Sequence, residues 1–449
     1  MRTATLIAVG LAALTGCVPT DFEDRRAEAQ VVALDKPDEY PNTGLGRVLA
    51  AYGGTLRSLE TSRVAASAGV DTPYVVYPVF TGDTVDLDDV SADGCKSTAP
   101  CAAGSAASLA GFARWGTREL CVSTASTMGG EITIRCEDDL TRFETVPGAG
   151  GERFGASAAG VPGDHPLARA VFGAPGANGG QGGVYRLPDG SGAQALDVSA
   201  GFGVGGGFGE SIALGVMDAS TVMIALGGGG QRVIVSTHAF DGGGTITSSV
   251  VGCLDASSPG WGGALAVGDL DGDGVPDVAV GSSPEPSRLA AVRVYDGAAR
   301  GAPGTCDGSW THAVEVSCPN DERVSCDASE FGAAVAIGDL TGDGRAELIV
   351  AAPAAEVDGV AGAGALVVFQ GAAALTDLTD RTATLSHPAP EPNASLGRAL
   401  AVPPGISTGM DRFEIAASAP GSDKVYVFLC TGLDGDAEDP VAFTRCQPR

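Results

Sequence analysis

The sequence predicts an all-β fold, a closed β-propeller of seven blades. Three observations carry that expectation. A unit of short, alternating small and apolar segments recurs along most of the chain. Glycine supplies 68 of the 449 residues, about twice its usual share, without the G-X-Y period of collagen. Aromatic residues are only 5% of the chain, so packing must rest on small side chains and tight turns.

Each unit opens with an aromatic residue or Leu followed by Gly. A strand follows, then a turn, a second strand ending in Ala, Gly or Pro, and a Val/Tyr-rich third strand. Phe154-Gly155 leads to Val171–Pro175 and Gly183–Tyr185. Phe208-Gly209 leads to Val222–Ala225 and Val233–Val235. Trp261-Gly262, its Trp expected in the core, leads to Val278–Gly281 and Val292–Tyr295. Phe331-Gly332 leads to Leu348–Pro353 and Leu366–Phe369, and Leu396-Gly397 to Ile415–Pro420 and Val425–Phe428. Two copies are degenerate. Leu45-Gly46 leads to Val64–Ala68 and Tyr74–Tyr77, and a copy near Leu109 to Leu120–Ser123 and Ile132–Ile134. One such unit cannot bury both faces alone, so the units must stack into a ring. Closure is expected from a terminal strand pairing with the last blade, either Val31–Leu34 or Ala442–Arg445, with Cys430–Cys446 pinning the latter.

The N-terminus sets the compartment. Arg2, the apolar run Leu6–Leu14 and small residues before Cys17 read as an export signal, too short to span a bilayer as a mature helix. Leu14-Thr15-Gly16-Cys17 resembles the bacterial lipobox, which implies cleavage before Cys17 and lipidation of that residue. The expected organisation is a signal peptide over 1–16, a charged, Pro-containing tether over 17–40 and the propeller over 41–449. The expected location is the bacterial cell envelope, lipid-anchored, and Val18 in place of a retention Asp points to the outer membrane or cell surface.

Cysteine parity agrees with this. Eleven Cys is odd for an exported chain. Lipidating Cys17 leaves ten for disulfides. Short spacing favours Cys95–Cys101, Cys121–Cys136, Cys318–Cys326 and Cys430–Cys446, leaving Cys253–Cys306.

The net charge is −28, with only three lysines (Lys36, Lys96 and Lys424). That excludes a nucleic-acid partner, which would need clustered cations to replace phosphate counterions. Most of the acidity reads as a solubility term, including Asp83–Asp93 and Asp434–Asp439.

Two units carry something more specific between their first and second strands. The loops are Asp269-Leu270-Asp271-Gly272-Asp273-Gly274-Val275-Pro276-Asp277 and Asp339-Leu340-Thr341-Gly342-Asp343-Gly344-Arg345-Ala346-Glu347. Side-chain oxygens fall at positions one, three, five and nine, with Gly at six for the sharp turn. A hard cation taking six to eight oxygens suits such a wrap, with the carbonyls of Val275 and Arg345 as the position-seven ligands. The expectation is two Ca²⁺ sites of extracellular-module affinity, on the order of 10⁻⁴–10⁻³ M. The second should be weaker because Thr341 replaces a carboxylate. An EF-hand is excluded, because position twelve is Val280 or Val350 within strand sequence.

These residues resemble the FG-GAP repeat family, the propeller of integrin α chains and of many exported bacterial proteins. Phe154-Gly155 with Gly173-Ala174-Pro175 carries the pattern of the name, and the two acidic loops match that family's calcium hairpins. The resemblance implies a seven-bladed propeller, bound Ca²⁺ and adhesion or ligand binding, with a surface protein or glycan as partner. The chain departs from integrin α in having the metal loop in only two units.

Catalysis is not expected. The four histidines (His165, His238, His312 and His387) lack zinc-ligand spacing, and His165 reads as a surface residue. Gly209-Glu210-Ser211-Ile212-Ala213 misses the nucleophile elbow at its last position. The G-x-G-x-x-G match over 201–206 lacks a βαβ context. A hydrolase or glycan-binding protein on the same scaffold is the alternative reading.

Overall fold

The computed structural model describes the backbone from Arg153 to Thr431 and side chains from Arg153 to Phe428, both with interruptions. It also describes the backbone of eight earlier strands between Gln30 and Pro147, and the side chain of Ile132. The export signal, Cys17, the acidic stretches at 83–93 and 434–439, and residues 201–205 lie outside the described residues, as do Thr341 and Gly342.

The early strands are β1 (Gln30–Asp35), β2 (Leu49–Leu56), β3 (Leu59–Ser67), β4 (Tyr74–Thr81), β5 (Ala106–Ala113), β6 (Leu120–Ser126), β7 (Glu131–Cys136) and β8 (Phe143–Pro147). Blade I follows as β9 (Ser157–Gly160), β10 (Ala170–Gly173), β11 (Val184–Leu187) and β12 (Gln194–Leu196). Blade II is β13 (Ser211–Val216), β14 (Thr221–Gly228), β15 (Arg232–Phe240) and β16 (Ile246–Asp255). Blade III is β17 (Trp261–Gly268), β18 (Asp277–Ser282), β19 (Ala291–Tyr295) and β20 (Val314–Ser317). A ribbon of β21 (Val324–Ser325) and β24 (Glu356–Val357) accompanies blade IV, which is β22 (Val335–Gly338), β23 (Glu347–Ala352), β25 (Ala365–Phe369) and β26 (Thr382–Leu385). Blade V is β27 (Leu400–Ala401), β28 (Arg412–Ala419) and β29 (Lys424–Thr431).

All pairings within these sheets are antiparallel. The fold is thus an all-β propeller. The expected seven blades are corrected to five described with their side chains. The sheets β2–β3–β4 and β5–β6–β7–β8 are described along the backbone alone, and they fall on the two weakest copies of the repeat. The first strands of successive sheets pack side by side: β5 on β9, β9 on β13, β13 on β17, β17 on β22 and β22 on β27, while β2 meets both β27 and β5.

Of the two expected closing strands, the N-terminal one closes blade V. β1 runs antiparallel to β29 from Gln30 opposite Leu429 to Asp35 opposite Lys424. It falls within residues 17–40, so this part of the expected tether belongs to the sheet. Ala442–Arg445 and Cys446 lie outside the described residues.

The core is divided among the seams between blades. In β23 the residues alternate: Leu348, Val350 and Ala352 enter the cluster shared with blade III, and Ile349 and Ala351 the cluster shared with blade V. β14 does the same, with Val222, Ile224 and Leu226 toward blade I and Met223 and Ala225 toward blade III. A strand buried on both faces must be apolar at every position, which explains the unbroken apolar runs in the second strands. Trp261 is core, as expected, 5% exposed and edge-on to Tyr295.

The aromatic-Gly corner locks one blade to the preceding one. Gly155, Gly209, Gly332 and Gly397 donate their amides to Gly173, Gly227, Ala351 and Ser418, the ends of their own second strands. Each of these glycines has positive φ, from 82° to 102°, a conformation that disfavours a side chain. The corner of blade II then docks on the Gly-Ala-Pro turn of blade I, where Gly183 donates its amide to the carbonyl of Phe208 at 3.0 Å.

Cys318 and Cys326 form the expected disulfide, Cα to Cα 6.0 Å. Cys253 is disulfide-bonded, and its expected partner Cys306 lies outside the described residues. The β6–β7 register sets Cys121 opposite Cys136.

Candidate cation-binding hairpins

Both acidic loops join the first strand of a blade to its second, so they share one face of the ring. They fold by the same internal bonds. Asp269 at position one accepts from the position-six amide of Gly274 at 2.9 Å, and Asp339 from Gly344 at 3.0 Å. Asp273 at position five accepts from Val275 at 2.7 Å, and Asp343 from Arg345 at 2.8 Å. Gly274 and Gly344 have φ of 84° and 85°, which is why position six is Gly in both.

The first loop brings Asp269, Asp271 and Asp273 together, with one oxygen from each lying within 4.8 Å of the others. Asp269 also accepts from Gly272 and Asp271 from the Asp273 amide. Burial raises the Asp271 pKa, and the charges of Asp273, Asp269 and Asp296 raise it further. Three convergent carboxylates are a donor set matched to a hard divalent cation, whose charge would oppose the rise at Asp271.

The position-nine carboxylates stand apart from this group. Asp277 is 1% exposed. Its Oδ2 accepts from the Leu270 amide and its Oδ1 from the Gly297 amide, both at 2.9 Å. Glu347 is fully buried, and its Oε2 accepts from the Leu340 amide at 2.6 Å. Its Oε1 is without a hydrogen bond, although the Gly371 amide lies close enough to favour the anion. Burial pushes Asp277 up to about 7 and Glu347 up to about 8. The neighbouring amides oppose the shift, and nearby carboxylates add to it: Asp271 and Asp296 at Asp277, Asp339 and Asp343 at Glu347. These two side chains hold their loops shut from inside the blade. The orphaned Oε1 beside Asp339 and Asp343 marks a polar atom to which a cation would supply a partner.

Asp296, just after β19, was not picked out by the loop pattern. It acts electrostatically on both Asp271 and Asp277, and the matching place in blade IV is Gln370. The signal was the repeat itself: Tyr295-Asp296-Gly297 aligns with Phe369-Gln370-Gly371.

The histidines do not converge. His165, expected at the surface, is buried, 8% exposed, with its ring against the Asp218 carbonyl. His238 is buried between Ser236 and Ser248, at 2.9 Å from each. His312 lies edge-on to Tyr295, and His387 packs at a tilt against Tyr426.

Residues 261–299 and 331–369 match the family model of the FG-GAP repeat. The two matches cover the opening corner, the acidic loop and the first three strands of blades III and IV. No curated protein matches the chain. Among the described residues, no helix is long and apolar enough to cross a membrane. The chain therefore carries FG-GAP repeats in a β-propeller, a fold consistent with a ligand-binding module.

Proposed function

We propose that this FG-GAP propeller is an exported, lipid-anchored, calcium-binding module of the cell surface that serves adhesion or ligand binding. The observation that carries the reading is the pair of acidic hairpins on adjacent blades that share their position-one, position-five and position-nine hydrogen bonds. In the first, Asp269, Asp271 and Asp273 would hold Ca²⁺ with the Val275 carbonyl, and Asp277 would close the shell from behind. In the second, Asp339, Thr341, Asp343, the Arg345 carbonyl and Glu347 would do the same. The cation would neutralise the clustered carboxylates and fix both loops, giving the ring a rigid face for a surface protein or glycan. Lipid on Cys17 would tether it, with the outer membrane favoured by Val18.

Calorimetric titration of the purified chain with Ca²⁺ tests the metal, with two sites at about 10⁻⁴–10⁻³ M expected. No heat at millimolar Ca²⁺ would overturn it. Pulldown from surface extracts with and without chelator tests the binding role, and mass spectrometry of the N-terminal peptide tests the lipid.

A further inference from the structure

We infer that the two cation loops are energetically coupled across the seam between blades III and IV, with Arg345 as the residue that joins them; this rests on the calcium reading above. Arg345 stands at position seven of the second loop, where its backbone carbonyl would serve the second cation. Its side chain leaves that loop and lies on the first. Nε donates to the Asp271 carbonyl at 3.3 Å. The stem covers Gly272, where a Cβ would come within 3.0 Å of Arg345 Cγ. Gly272 has φ of 79° and no side chain, so the first loop leaves room for this contact.

The backbone on either side reinforces it. The amide of Ala346 donates to the Asp269 carbonyl at 2.7 Å, and that of Ala372 to the Leu270 carbonyl at 3.1 Å. The carbonyls at positions one, two and three of the first loop are thus all held by blade IV. A cation drawing Asp339, Asp343 and the Arg345 carbonyl together fixes residues 345 and 346. Those residues fix the stretch 269–271, whose carboxylates form the first cluster. Order imposed at one loop is then order the other need not supply on binding, and linkage makes the effect reciprocal.

The experiment is calorimetric Ca²⁺ titration of the full chain and of four variants: Asp343→Asn, Arg345→Ala, the double substitution of these two, and Asp273→Asn. Arg345→Ala keeps the carbonyl and removes the side chain that crosses the seam. Asp343→Asn should weaken the first loop about fivefold, a typical coupling factor. With Ala at 345 the same change should weaken it less than twofold. Reciprocally, Asp273→Asn should weaken the second loop by the same factor as Asp343→Asn weakens the first. Melting in chelator checks that each variant is folded, and Asp339→Asn replaces Asp343→Asn if the latter is not. A first-loop affinity that ignores Asp343→Asn overturns the coupling, and one that responds equally with and without the Arg345 side chain overturns Arg345 as its carrier. Absence of any Ca²⁺ binding by the unsubstituted chain overturns the calcium reading, and this inference with it.

Discussion

The carbonyl oxygen of Gly332 fills the place beside Gly281 where a side chain would begin. Gly281 ends the core of a second strand in blade III, and Gly332 is the corner glycine of blade IV. The same approach recurs one seam earlier between Gly227 and Gly262, and one earlier still between Gly173 and Gly209. A Cβ at Gly281 would also meet Ala264 Cβ at 3.2 Å. Gly281→Ala should therefore force blade IV away from blade III and cost about 1–3 kcal/mol, as overpacking does. Urea unfolding in chelator measures it, and an unchanged midpoint would mean that the seam is not this tight.

Stability and cation binding should separate between Asp277 and Asp271. Asp277→Ala strips two buried amides, those of Leu270 and Gly297, of their acceptor, at about 1–3 kcal/mol for each group left unsatisfied. That loss should appear in chelator, before any cation is added. Asp271→Asn removes a charge from the cluster while keeping an acceptor oxygen, so its stability in chelator should change by less than about 1 kcal/mol. What it should lose is the gain from Ca²⁺, about 1.4 kcal/mol at ten times Kd for one site. Melting curves with and without Ca²⁺ read both effects, and equal behaviour of the two variants would defeat the division of labour.

The loops and corners were legible because their chemistry is local. A turn needing positive φ shows as Gly274 or Gly332, and a wrap of oxygens shows as alternate Asp residues. The inward role of Asp277 was also readable. It begins β18, a strand buried on both faces, so a carboxylate there turns inward whichever face it takes. Features that depend on one blade meeting the next left no such trace. Asp296 reaches the first loop from a turn beyond β19, and Arg345 from the neighbouring blade. The burial of His165 against Asp218 likewise joins residues far apart in sequence. The blade number differs because Leu45 and the copy near Leu109 keep the strand alternation but little of the corner chemistry.

The seams also carry an ion pair whose polarity is reversed between copies. Arg153 precedes the corner of blade I and pairs with Glu210, which follows the corner of blade II. Glu330 precedes the corner of blade IV and meets Arg398, which follows the corner of blade V, at 3.4 Å. The Arg398 side chain is 47% exposed, so the pair should contribute no more than about 1 kcal/mol. Glu330→Arg alone should destabilise by about that amount through like charge. Adding Arg398→Glu should restore the melting temperature, and the difference should shrink in high salt. A double variant no more stable than the single would show that the pair is incidental to the seam.

His238 should make stability pH-dependent between about pH 4 and 6.5. Its ring is fully buried in blade II, held by Ser236 and Ser248, and burial pushes its pKa down to about 4 against an attraction from Asp197. The folded state therefore keeps the ring neutral below the pH at which the unfolded chain protonates it, near 6.5. Between those values the unfolded state binds more protons, so stability rises with pH. The contribution is complete above about pH 6.5 and is lost as the pH falls toward 4. With 1.36 kcal/mol for each pKa unit the loss is of the order of 3 kcal/mol. Urea midpoints at pH 4.5 and 7.5 for the unsubstituted chain and His238→Gln isolate it, since other groups titrate equally in both. His238→Gln should be less stable at pH 7.5, with a smaller drop on acidification; parallel pH profiles would place the acid sensitivity on other groups.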